Sequence, residues 1–259
     1  SNSSRPVIES LRAFLQVFAD GRLSSLRRSL HPTVAAIKIF SFGNCLGDKV
    51  HSPPHNTGVG RVMGVEGGLR REPSWQRLVE YVKEFSYMRS DNELFTLASG
   101  RQSPHFFDLK PLMMHPEGSV LLGELLNLRL DSLAPDFVGG LELGAVPLTA
   151  IAVATAGEDC KRLGFMVRKE PKGRGGRKTN NPPGIEGCGI MGGGKIVVLE
   201  DVTTTGGSAL KAVEQIHQTT PCEVIAVITV VDREEGGAET FAAAGIPFEA
   251  LILLSDIAE

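Results

Sequence analysis

The run KIVVLEDVTTTGGSALKAVEQI, Lys195 to Ile216, sets two acids, three threonines and a Gly pair directly behind a short β-branched apolar segment. That segment reads as a buried strand, and in an open parallel sheet ligands gather at the carboxyl ends of strands. Glu200 and Asp201 stand at that end. The next helix is expected to begin near Ser208. Backbone amides of 204–208, with the hydroxyls of Thr204, Thr205 and Ser208, would then surround a phosphate at a helix N-terminus. Gly206 and Gly207 permit the close backbone approach that such a cradle requires. Carboxylates repel phosphate, so their natural partners are sugar hydroxyls or a hydrated Mg²⁺. Acids beside an anion cradle point to one ligand carrying both groups, a ribose 5-phosphate. A turn plus helix cap is the plainer reading of GGS alone, but the acid pair and the threonines outweigh it. GGGKI at 192–196 is no Walker A loop, because it lacks the Ser/Thr and precedes a strand.

A second stretch carries charge without burial. VRKEPKGRGGRK runs into TNNPPGIEG and is rich in Gly, Pro, Lys and Arg. A loop of this length inside an α/β body is usually functional or disordered. A solvated basic loop is the bland alternative. It loses ground because the loop leaves a strand end on the same sheet as the acids.

The elements that must position these groups follow from periodicity. WQRLVEYVKEF (75–85) is an amphipathic helix, LFTLASGRQSPHFFDLK (94–110) two extended pieces around a Ser-Gly turn, and PEGSVLLGELLNLRLDSL (116–133) a second helix. From DFVGGLEL to FEALILL short β-branched runs alternate with helices, the pattern of βαβ units and a parallel sheet. Upstream, PVIESLRAFLQVF (6–18) has a helical apolar face, and SPPHNTGVGRVMGVEGGLRR reads as a linker. Residues 1–72 are therefore expected to be an appendage, and 73–259 the catalytic body. An organelle-targeting presequence is a weaker reading of 1–72, which is Arg- and Ser-rich but not acid-free. The opening Ser-Asn-Ser-Ser, with no Met, reads as a processed, truncated or tagged start.

Composition narrows the class. The 259 residues suffice for one large α/β domain with an appendage, and the apolar content of 42% supports a sizeable core. The net charge of −3 argues against a nucleic-acid partner. It divides into +5 over 1–72 and −8 over 73–259. Cys45, Cys160, Cys188 and Cys222 are widely spaced, with neither metal-ligand spacing nor a disulfide pattern. A reducing, cytoplasmic setting is expected. No apolar run approaches a membrane span.

LEDVTTTGGS resembles the phosphoribosyl-pyrophosphate (PRPP) motif of type I phosphoribosyltransferases. FTLASGRQSPHFFDLK, GGLELGAVPL and VRKEPKGRGGRK with IEG resemble one branch, the orotate phosphoribosyltransferases, from about Ser74 to the C-terminus. The resemblance implies a mainly parallel sheet flanked by helices, a flexible catalytic loop and a small N-terminal hood. It implies transfer of the 5-phosphoribosyl group from PRPP to N1 of orotate, giving orotidine 5′-phosphate and pyrophosphate in UMP biosynthesis. By the same similarity Glu200 and Asp201 hold the ribose hydroxyls, and Val202, Thr203, Thr204, Thr205, Gly206, Gly207 and Ser208 hold the 5′-phosphate. Arg168, Lys169 and Lys172 match loop residues that contact pyrophosphate. Phe106, Phe107, Thr204 and Arg233 match the orotate site. The implied cofactor is Mg²⁺, carried mainly by PRPP with Glu200 and Asp201 in reach. The implied assembly is a homodimer whose loop covers the neighbouring subunit's site.

Departures from the family pattern are specific. Arg174 stands where relatives often have His, Ala98 where many have Lys, and Gly144 where some have Lys. Two adjacent Phe on a strand point to opposite faces, so at least one of Phe106 and Phe107 is expected in the core. His105 and His115 read as structural or solvated. A PRPP-binding regulator on the same fold, or a purine phosphoribosyltransferase, is the alternative. The catalytic loop argues against the first, and Arg233 with FTLASGR against the second. Only a few residues follow LILL, so a fused decarboxylase is not expected.

Overall fold

The structure, a computed structural model, describes residues 69–97, 100–171 and 178–258. Nearly all of the expected appendage lies outside them. The described body opens with a 3₁₀ turn, Leu69–Arg71, whose Leu69 is already buried in the core. Arg70 pairs with Asp256 at 3.0 Å and lies 5.7 Å from the Trp75 ring.

Helix α1 (Pro73–Phe85) buries Leu78, Val79 and Val82, with Pro73 at its first turn. Two short antiparallel pairs follow and form the hood. Strand β1 (Tyr87–Arg89) pairs with β4 (His105–Phe107), and β2 (Phe95–Thr96) with β3 (Gln102–Ser103). Residues 94–110 were expected as two extended pieces. They hold the β2–β3 hairpin, then β4, and end by entering a four-residue helix α2 (Lys110–Met113). Helix α3 (Pro116–Leu133) begins where His115 Nδ1 accepts from the Gly118 amide at 3.3 Å. It ends at Ala134, which adopts the left-handed conformation with φ 47°. His115 thus caps a helix, and its ring stacks on Phe85 with centroids 4.7 Å apart.

The remaining elements alternate as expected. They are β5 (Phe137–Leu141), α4 (Ala145–Ala154), β6 (Leu163–Val167), β7 (Ile185–Gly187), β8 (Lys195–Thr203), α5 (Gly207–Thr219), β9 (Glu223–Asp232), α6 (Gly237–Ala243) and β10 (Phe248–Leu253). Six strands form one sheet in the order β10-β9-β8-β5-β6-β7, parallel except for β7 on the edge. Helices cover both faces, so the inner strands are apolar on both sides. Along β8, Val197 and Leu199 face the core under α1, α3 and α4, while Ile196 and Val198 face the core under α5 and α6. This is the mainly parallel, helix-flanked sheet that the resemblance implies.

The loop after β6 is less empty than its composition suggests. Its middle, 172–177, lies outside the described residues. Its return leg is anchored by buried Ile185 and by Asn181, whose side chain donates to Cys188 O and accepts from the Ile190 amide at 2.8 and 3.0 Å. Strand β7 then pairs with β6, so both feet of the loop stand on one strand edge.

Candidate active site

In this strand order β5 is followed in the chain by β6 on one side and sits beside β8 on the other. The crevice between the carboxyl ends of β5 and β8 is therefore the topological switch point, where open α/β sheets bind ligands. Glu200 and Asp201 sit there on β8. Strand alternation sends successive side chains to opposite faces, yet the Asp201 carboxyl still lies close enough to act on that of Glu200. Glu200 is buried, and its Oε2 has no hydrogen-bond partner among the described residues. Burial first, then the adjacent Asp201, pushes the Glu200 carboxyl up to about 9, while Lys169 pulls it down. Asp201 is half-buried, with Oδ1 accepting from the Val202 amide at 3.0 Å.

From Thr203 the chain turns into α5, and Glu200, 202–208 and Lys211 line an open cleft of about 190 Å³. Gly206 takes φ 81° as the N-cap of α5, and a Cβ there would meet the Phe241 ring at 3.0 Å. Only glycine satisfies both demands. The helix presents its amide-rich end to the cleft, the geometry of an anion cradle. Thr203 is buried, with Oγ1 unpartnered among the described residues. Lys211, one turn past Ser208, adds a cation that the motif reading missed. Its spacing of three from Ser208 was the available signal.

Beyond the cleft's lining, cations act on the acid pair from two elements. Arg168 leaves β6 with its side chain between two acids, 3.9 Å from Glu142 and 3.5 Å from Glu186, and its Nε donates to Glu170 O at 3.2 Å. The Lys169 amide donates to Glu142 Oε1 at 2.9 Å, and the exposed Lys169 side chain is the cation felt at Glu200. Lys172 and Arg174 lie outside the described residues, as does Ala98. On the other side Lys110 Nζ donates to Asp108 at 2.7 Å. That bond raises the ammonium's pKa against the effect of burial, and the Asp201 charge adds to the rise. Neither Glu142 nor Lys110 was singled out from sequence.

The expected base site divides between core and cleft. Arg233 is buried at the end of β9, with Nη2 donating to Ser103 Oγ at 2.8 Å and Nε to Glu235 at 2.9 Å. Its guanidinium lies 5.9 Å from the Phe107 ring, which is the buried member of the Phe pair. Phe106 is half-buried and leans on Phe95, with ring centroids 5.4 Å apart. The division of the two rings between opposite faces is as expected. His105 accepts or donates through Nδ1 to the Tyr87 hydroxyl at 2.7 Å. Its pKa is lowered by burial and then by Arg89 and Arg233. It belongs to the hood.

No group of three or more His, Cys, Asp or Glu among the described residues could hold a metal ion. Two neighbouring carboxyls, one of them buried with an unpaired oxygen, suit sugar hydroxyls or one face of a cation already carried by a polyphosphate. No helix among the described residues is long and apolar enough to cross a membrane.

No family model matches the chain. Curated relatives do. An orotate phosphoribosyltransferase of a Bradyrhizobium species is 47% identical over 184 residues, covering 71% of this chain and 96% of the relative. One from Rhodopseudomonas palustris is 44% identical over 192 residues, covering 73% and 98%. Among solved structures, the orotate phosphoribosyltransferase of Mycobacterium tuberculosis in complex with PRPP superposes with a TM-score of 0.59 at 33% identity, covering 72% of this chain and all (100%) of that one. Fold and site together define a type I phosphoribosyltransferase. Within that class, the chain belongs to the orotate phosphoribosyltransferase family.

Proposed function

We propose that this protein transfers the 5-phosphoribosyl group of PRPP to N1 of orotate, yielding orotidine 5′-phosphate and pyrophosphate in UMP biosynthesis. The observation that carries the reading is the continuity of β8 into α5. One segment presents Glu200 and Asp201 to a sugar and, within the next seven residues, an amide-lined cradle to its 5′-phosphate.

Breaking the C1–O bond leaves cationic character on the ribose ring and new negative charge on pyrophosphate. The site needs opposite charges at two places, held in advance. Glu200 and Asp201 hold the ribose 2′- and 3′-hydroxyls. Glu200, kept protonated through neutrality by burial, can donate as well as accept. Amides and hydroxyls of 203–208, with Lys211 nearby, fix the 5′-phosphate and so the position of C1. Arg168 and Lys169 receive the departing pyrophosphate, joined by Lys172 and Arg174 from the loop. Glu200 and Asp201 would reach a Mg²⁺ brought in with PRPP, which would supply charge neutralisation at the leaving group. Arg233 orients orotate through its carboxylate, with Thr204 and Phe106 bordering the ring and Phe107 backing Arg233 from the core. Closure of the loop excludes water from an electrophilic ring carbon. The loop serves the neighbouring subunit of a homodimer.

The test is a direct assay of orotate consumption with PRPP and Mg²⁺, with hypoxanthine and uracil run alongside. Orotate is expected to be used and the other two ignored. Preference for either competitor ends the orotate assignment.

A further inference from the structure

The turn between β5 and α4 has no part in the phosphate cradle, yet it touches both poles of the reaction. Glu142 faces the root of the basic loop, with Oε1 accepting from the Lys169 amide at 2.9 Å and Oε2 lying 3.9 Å from Arg168 Nε. Two residues on, Gly144 abuts the Asp201 carboxylate, 2.3 Å from where its Cβ would stand. The backbone reinforces the same joint. The Glu142 amide donates to Val167 O at 2.7 Å, and the Arg168 amide donates to Gly184 O at 2.8 Å. A carboxylate beside two groups meant for an anion is unfavourable for binding taken alone, because it lowers the local positive potential. Its placement makes sense if it holds those groups.

We infer that Glu142 is a positioning residue for the pyrophosphate end of the site, fixing the Lys169 backbone with one oxygen and steering the Arg168 guanidinium with the other. Glu186, 3.5 Å from Arg168 Nη1, flanks the guanidinium from β7. Arg168 is thereby held between two acids, and Lys169 is left to project its ammonium toward the acid pair, where its charge is felt at Glu200. An amide acceptor and a charge are separable roles. The acceptor sets where the cations stand, which matters most when the leaving group acquires charge. The charge weakens ground-state attraction for PRPP.

This inference rests on Arg168 and Lys169 meeting pyrophosphate, so the experiment reads both levels. In the intact protein, kcat, the KM for PRPP and the Kd for inorganic pyrophosphate are measured for Glu142→Gln, Glu142→Ala, Arg168→Ala and Lys169→Ala. Glu142→Ala is expected to lower kcat about tenfold, the equivalent of one hydrogen bond lost at the upper end of its usual contribution. Glu142→Gln keeps an acceptor, so it is expected to restore kcat to near the wild-type value and to bind pyrophosphate as tightly or more tightly. A merely structural glutamate would not give that split between kcat and binding. Wild-type kcat in Glu142→Ala, or a Gln variant of unchanged melting temperature as slow as Ala, overturns the inference. If Arg168→Ala and Lys169→Ala leave the pyrophosphate Kd unchanged, the assignment of the cations falls, and the inference with it.

Discussion

Gly144 and Asp201 are packed so closely that the Asp201 carboxylate fills the space of the missing side chain. A Cβ at 144 would lie 2.3 Å from Asp201 Cγ. Some relatives place Lys here, and the sequence suggested a simple loss of positive charge. The packing shows a different constraint. In this protein any side chain at 144 must first displace an acid assigned to the ribose. Gly144→Ala is expected to cut kcat/KM by about 10- to 100-fold, the scale of a catalytic group moved by roughly an ångström. Gly144→Lys should be no better than Ala. Restored or raised kcat/KM in the Lys variant would refute this account.

Glu200 gives a pH signature in the ligand-free protein. Burial and the neighbouring Asp201 charge push its carboxyl from the ordinary 4.5 up to about 9 in the folded chain. The native state therefore keeps a proton that the unfolded chain loses over that interval. The group's contribution to stability is fully present below 4.5 and is lost as pH rises toward 9. Glu200→Gln cannot ionise, so it should melt a few degrees above wild type at about pH 8, with the gap closing toward about pH 5. Thermal melts across that range, without PRPP or metal, decide it. A constant gap would place the effect elsewhere.

The shared-site assignment has a complementation test. Lys172→Ala and Asp201→Asn are each expected to be nearly inactive. A mixed dimer contains one site with both lesions and one with neither, so about half of the hybrids' sites should work. Activity that never returns under conditions of subunit exchange would assign the loop to its own subunit.

Away from the site, Arg129 on α3 holds Glu249 at the start of β10 through two bonds of 2.7 Å, and Glu249 is buried. Arg129→Met strands that carboxylate and should cost about 3 kcal/mol by urea unfolding. Turnover per folded molecule should stay at the wild-type value, because Glu249 lies at the amino end of its strand, opposite the cleft.

The readable parts were those where local chemistry and periodicity coincide. Lys195–Ile216 announced a strand, an acid pair, a cradle and a helix in order, and β8 and α5 follow that order. The helix expected over 116–133 occupies the same bounds, Pro116–Leu133. Glu142 escaped notice because an acid in GGLELG is unremarked until the fold brings the Lys169 amide to it. Asn181 was hidden in a Gly/Pro-rich loop, where a polar residue looks solvated, yet it is buried against Cys188 and Ile190. Helix α2 spans four residues, too short for any period to register. Lys110 depends on a neighbour two positions away and on an acid ninety-one further along the chain, and only the folded sheet unites them.

The pairing of β6 with β7 has an evolutionary corollary. Because the basic loop departs from Val167 and returns to its ladder partner Ile185, its two ends are fixed by the sheet whatever the length of the span between them. Doubling such a span costs only about 0.6 kcal/mol in closure entropy. Insertions, deletions and changes such as Arg174 for His can therefore accumulate there with little penalty to folding. Leaving-group handling can drift among descendants of this scaffold while the ribose-binding strand stays as it is.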